Sequence, residues 1–107
     1  MSVGIEQFRT IELRVGTVRA AEPHPNADRL LVLRVDLGGE ERQLVAGIRA
    51  YYDPAVLVGR QVIVVANLEP AKLRGVESQG MVLAAADGDR VVLLGPDQPV
   101  APGAVVR

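Results

Sequence analysis

Glycine and proline cut this chain into short apolar stretches, none of them long enough for a membrane span, and that punctuation constrains the fold more than any other feature. Ile11, Leu13 and Val15 alternate with Glu12 and Arg14, a period of two that gives one apolar and one charged strand face. Gly16 follows, and is expected to mark a bulge or bend. Leu31, Leu33, Val35 and Leu37 alternate with Val32, Arg34 and Asp36 before the Gly38-Gly39 turn. Leu44, Ala46 and Ile48 resume the pattern, so residues 30–48 predict an antiparallel hairpin. Asp53-Pro54 at the head and Gly59 at the exit predict a single capped helical turn between strands. Val62 to Ala66 is a continuous apolar run, as in a strand covered on both faces. Met81 to Ala86 and Arg90 to Leu94 flank Asp87-Gly88-Asp89, a second hairpin. Pro96, Pro99 and Pro102 leave the tail as short extended pieces. Five or more short strands and one brief helix in 107 residues predict an all-β chain, an OB-fold five-stranded barrel with a short extended C-terminal tail. One domain is expected over residues 1–107, with the barrel at about 8–95 and the tail at 96–107.

The residue inventory argues against chemistry. There is no cysteine, hence no disulfide framework and no thiolate metal site. His24 is the sole histidine, so no histidine pair can hold a metal. Its setting in the stiff polar run Glu22-Pro23-His24-Pro25-Asn26-Ala27-Asp28 suits a structural role better than a catalytic one. Ser78 lacks a nucleophile elbow, and Asp87, Asp89 and Asp97 lack calcium-loop spacing. Neither a P-loop nor a dinucleotide fingerprint can be read. A non-enzymatic protein without cofactor or metal is expected. The opening residues lack the plan of a signal peptide, which points to the cytoplasm.

Charge and aromatic content narrow the partners. The net charge is −1, but residues 29–74 hold seven basic and five acidic side chains, a balance of +2, against −3 for the remainder. A nucleic-acid surface, if present, belongs to the middle of the chain. Phe8, Tyr51 and Tyr52 are the only aromatics, too few for a platform on which successive bases stack. What remains is a folded RNA read through phosphates, 2′-hydroxyls and shape. The segment Asn67 to Met81 has the chemistry for it. Pro70 fixes a bend, Gly75 and Gly80 permit close approach, and Asn67, Lys72, Arg74 and Ser78 offer hydrogen bonds and charge. On residue types alone, a surface loop with solvated cations is the favoured account, since such mixtures are common.

That segment resembles the signature of the tRNA-binding domain family, which occurs as free-standing dimers, as the C-terminal domain of bacterial methionyl-tRNA synthetases and in EMAP II-like cytokine precursors. Leu13-Arg14-Val15-Gly16, His24 through Leu30, Val35 through Gly38 and Ala46-Gly47-Ile48 resemble the same family in the same order, so the similarity covers about residues 8–86. The resemblance implies an OB barrel, a homodimer with the tail at its interface, and the outer corner of tRNA as target. It assigns tRNA contacts to Arg29, Asn67, Lys72, Arg74, Ser78 and Met81. Charge and strand alternation add Arg34 and Arg49. Each has a structural alternative: Met81 as core, Asn67 tying a loop, Ser78 satisfying a turn, Arg29 paired to Asp28 or a glutamate. Because the chain begins just before the barrel, a free-standing accessory to an aminoacyl-tRNA synthetase is expected. CsaA-type secretion chaperones, which bind unfolded or exported proteins, resemble the same barrel and supply the competing expectation.

Overall fold

The computed structural model describes all 107 residues. In chain order its elements are α1 (Ile5–Arg9), β1 (Leu13–Pro23), β2 (Leu31–Asp36), β3 (Glu41–Ala46), α2 (Pro54–Leu57), β4 (Gln61–Val65), β5 (Ala71–Leu73), β6 (Val76–Ser78), β7 (Met81–Val82), β8 (Ala84–Asp87), β9 (Arg90–Leu93) and β10 (Val105–Val106). The main sheet runs β3-β2-β1-β4-β7, with β10 added to β1, and curls into a nearly closed antiparallel barrel. The long β1 makes closure possible because it is shared. Residues Leu13 to Thr17 pair with β4, residues Thr17 to Pro23 pair with β2, and the register shifts between Val18 and Ala20. The irregularity expected at Gly16 therefore falls three residues later, around Arg19. Gly16 itself pairs regularly with Val62, and it is glycine for want of space: a Cβ there would overlap Val35.

Alternation along β2 and β3 turns Leu31, Leu33, Val35 and Leu44 into the barrel, where they join Val18, Leu37, Val62, Val64 and Leu93 in one core cluster. The Asp53 carboxylate caps α2 by accepting from the Ala55 amide at 3.0 Å, Pro54 takes the first helical position, and Leu57 plugs the barrel end with no exposed surface. In the turn after β2 the Asp36 carboxylate accepts from the Gly38 amide at 2.8 Å and from Arg19 at 2.9 Å. The Arg19 guanidinium first, and the Gly38 amide next, hold that carboxyl below its usual range.

One helix and one two-stranded ribbon lie outside the sequence expectation. The helix α1 near the N-terminus has no counterpart in the sequence expectation; its Gln7 side chain accepts from the Gly4 amide at 3.0 Å, and none of its residues is buried. The connection 67–80, expected as a polar loop, carries the two-stranded ribbon β5–β6. No helix is long and apolar enough to cross a membrane.

Candidate nucleic-acid interface

The β5–β6 ribbon closes on a two-residue turn, Arg74-Gly75, between the paired residues Leu73 and Val76. Both turn residues have positive φ, 53° and 90°, as the tight hairpin turn with the right twist demands. Arg74 is the one non-glycine residue in the chain with positive φ, where asparagine or glycine is the ordinary choice. An arginine held in this conformation carries a backbone cost of about 1–3 kcal/mol.

Charge pairing separates the twelve basic side chains. Arg9, Arg14, Arg19, Arg34, Arg42 and Arg90 each lie 2.6–3.6 Å from a carboxylate. Arg60 stacks over the Tyr52 ring at 5.5 Å, and Arg107 is the last residue. The remaining four, Arg29, Arg49, Lys72 and Arg74, are exposed and form no ion pair. Three of them, Arg29, Arg49 and Arg74, come together at one end of the molecule. The turn 26–30 is their meeting point: Arg74 donates to the Asn26 carbonyl at 3.4 Å, Arg49 donates to the Ala27 carbonyl at 3.5 Å, and the Arg49 amide donates to the Arg29 carbonyl at 3.3 Å. Arg29 and Arg74 line one shallow hollow together with Asp28. Lys72 stands two residues before Arg74, across the ribbon from Glu77, with which it forms no ion pair. Exposed guanidinium groups without carboxylate partners are free to donate to phosphate.

The other four residues singled out from the sequence sit elsewhere. Arg34 is exposed in the middle of β2, 3.6 Å from Glu41. Asn67 is exposed, and its amide joins two segments by accepting from the Glu12 amide at 2.9 Å and donating to the Thr10 carbonyl at 2.7 Å. Ser78 is 5% exposed and lies in the barrel seam. Its hydroxyl accepts from the Val45 amide and donates to the Gly80 carbonyl, both at 2.9 Å, while the Gln79 side chain accepts from the Gln43 amide at 3.0 Å. Side chains of residues 78 and 79 thus serve the open edge of β3 where a strand would otherwise be needed. Met81 lies on a ridge between two apolar surfaces. One is a trough of about 430 Å³ under the ribbon, with Ile48, Leu68, Leu73, Val82 and Val91 in its walls. The other is a flank formed with Phe8, Ile11, Leu13, Leu68 and Leu83, adjoined by Val105.

A small barrel with a cation-rich rim at its loop end defines the class of OB-fold nucleic-acid binders. Comparison narrows the class: the model of the family described as "Putative tRNA binding domain" matches residues 13–105, and the chain belongs to this tRNA-binding domain family. It is 59% identical over 105 residues to the methionine–tRNA ligase of Pyrococcus furiosus and 51% identical to that of Thermotoga maritima. The match covers 98% of this chain and only 14% and 17% of those ligases. Among solved structures, a methionyl-tRNA synthetase related protein from Pyrococcus horikoshii superimposes with a TM-score of 0.93 at 38% identity, covering 100% of this chain and 99% of that one. The chaperone CsaA of Bacillus anthracis gives 0.91 at 32% identity, with both chains fully covered.

Proposed function

We propose that the chain binds the outer corner of folded tRNA, without catalysis, through Arg29, Arg49, Lys72 and Arg74 and in the service of methionyl-tRNA synthetase. The convergence of Arg29, Arg49 and Arg74 on the turn 26–30, with Lys72 two residues before Arg74 and none of the four in an ion pair, carries this reading. Asn67 and Ser78 contribute by holding the segment that presents Lys72 and Arg74. Arg34 contributes little while Glu41 holds it. The likeness to methionine–tRNA ligases over nearly the whole chain supports the choice of tRNA and of the synthetase as associate. With four phosphate contacts, a plot of log affinity against log salt should have a slope of roughly −3 to −4. Lys72→Ala should reduce that slope by about one without changing which tRNA is preferred. Salt titrations by fluorescence anisotropy decide it, and affinity that is level across salt removes the reading.

The apolar flank suggests a homodimer. Phe8, Ile11, Leu68, Met81 and Val105 are all large side chains at least two-fifths exposed, and the flank joins α1, the start of β1 and the tail. Pairing through it would set two cation clusters on one assembly and raise avidity without any new contact type. Sedimentation equilibrium should give twice the 11.4 kDa chain mass for the wild type and a monomer for Ile11→Glu. A wild-type monomer at micromolar concentration would exclude the pairing.

A second reading, binding of unfolded polypeptide, is favoured by the trough under the ribbon and by the CsaA likeness. Competition between tRNA and a reduced, unfolded polypeptide for the same protein separates the two.

A further inference from the structure

His24 is buried in the support of the cationic rim, 3% exposed, where β1 gives way to the turn that carries Arg29. The Asn26 amide donates to its Nδ1 at 2.9 Å, so that nitrogen bears no proton. In the neutral ring the proton is on Nε2, which lies 2.8 Å from the Leu73 carbonyl. Leu73 is the residue between Lys72 and Arg74. The imidazole is thus a strut from the turn to the ribbon, and the turn is itself closed by the His24 amide donating to the Leu30 carbonyl at 3.0 Å. The other polar link between turn and ribbon, from Arg74 to the Asn26 carbonyl, is longer at 3.4 Å and depends on an exposed, flexible side chain.

Resting on the tRNA reading above, we propose that neutral His24 is a positioning residue for RNA binding, holding Arg29, Lys72 and Arg74 as one rigid set, and that its protonation releases that set. A protonated ring carries N–H on both nitrogens. Its Nδ1–H would then face the Asn26 N–H, donor against donor, in a place closed to water. The charged groups about it are Glu22 on β1, Asp28 and Arg29 on its own turn, Arg49 after β3, and Lys72 and Arg74 on the ribbon. None of them hydrogen-bonds to the ring, and both ring nitrogens are taken by backbone groups. The direction of the effect is diagnostic. Acid neutralises carboxylates, makes the protein more cationic, and by that route alone tightens RNA binding. Release of the strut weakens it.

Two substitutions divide the roles of the ring. In His24→Gln the side-chain amide nitrogen stands near the Nε2 position and can still donate to Leu73, but it cannot titrate. In His24→Asn the oxygen can still accept from the Asn26 amide, as in an ordinary Asx turn, but the side chain is too short to reach Leu73. The 107-residue chain is titrated with an unmodified tRNA transcript at fixed salt over a series of pH values, with protonation of His24 read from its own ring nitrogen shifts. Wild-type affinity should fall about fivefold as the ring protonates, while His24→Gln stays within about twofold of neutral wild type throughout. His24→Asn should bind about fivefold more weakly at neutral pH and lose nothing further in acid. Wild type and His24→Gln following the same pH curve would overturn the proposal, as would His24→Asn binding like wild type. Should the wild type fail to bind tRNA in a salt-dependent way, the tRNA reading fails and the strut is judged in the free protein. There, amide exchange across Lys72 to Val76 should quicken in His24→Asn and not in His24→Gln, and exchange equal in all three would overturn the strut as well.

Discussion

Changing Arg29, Arg49 and Arg74 together to glutamine should weaken tRNA binding about a hundredfold at 0.1 M salt and reduce the salt slope by roughly three. A hydrogen bond from a charged group to phosphate contributes about 1.5–3 kcal/mol when well made, and exposure to water and salt brings each of these nearer to 1 kcal/mol. Three losses of that size, about 3 kcal/mol, correspond to roughly a hundredfold in affinity. The control matters as much as the variant. Arg9, Arg34 and Arg90 changed to glutamine alter the net charge by the same amount, from −1 to −4, but remove cations that Glu6, Glu41 and Asp87 already hold. Beyond a Debye length of about 10 Å their influence is screened, so a loss of no more than about threefold is expected. Equal losses in the two triple variants would mean that tRNA responds to overall charge and that the rim is no site. The same control asks whether Arg34 contributes despite its partner.

How far this rim could be read in advance depends on which interactions are local. Alternation along residues 31–37, and the Asp53-Pro54 start and Gly59 stop of α2, depend on near neighbours, and the structure has both as expected. The ribbon β5–β6 reads as a loop in the sequence because its strands, Ala71–Leu73 and Val76–Ser78, are three residues each, too short for an alternation to stand out among Lys72, Glu77 and Ser78. Its one local sign was Arg74-Gly75, which resembles the Asn-Gly turn signal without matching it. The sorting of arginines was further from reach. Pairs such as Arg9 with Glu6 and Arg90 with Asp87 are three residues apart and can be anticipated, but Arg19 finds Asp36 only through the register of β1 on β2. Hence the sequence named Lys72 and Arg74 from their segment and Arg29 from resemblance, yet it could not tell that Arg34 is held while Arg49 is free. Ser78 presents the same difficulty: a hydroxyl in a polar run looks available until the β3 edge, more than thirty residues earlier, is folded against it.

Gly16 tests whether the barrel's closure rests on one missing methyl group. An added Cβ would overlap Val35 Cγ1 and stand 3.1 Å from Leu37 Cδ2 and 3.4 Å from Val64 Cγ2, all on side chains that are almost wholly buried. Valine has little rotamer freedom with which to yield, and β1 is tied to β4 on one side and to β2 further along. Overpacking of this kind costs about 1–3 kcal/mol, and Gly16→Ala is expected near the upper end. For a chain of this size that lowers the melting temperature by roughly 10–20 °C. Part of the loss would be recovered in any case by a larger hollow, so the specific claim needs a double-mutant cycle with Val35→Ala. Alone, Val35→Ala should destabilise by about 2–3 kcal/mol, because it opens a cavity in the core. Together, the new methyl group at residue 16 occupies room that the Val35 methyl vacates, and the double variant should be more stable than the sum of the single losses by about 1–2 kcal/mol. Strict additivity in the denaturant midpoints would show that Gly16 serves the backbone of β1 and that crowding against Val35 is not what excludes a side chain there.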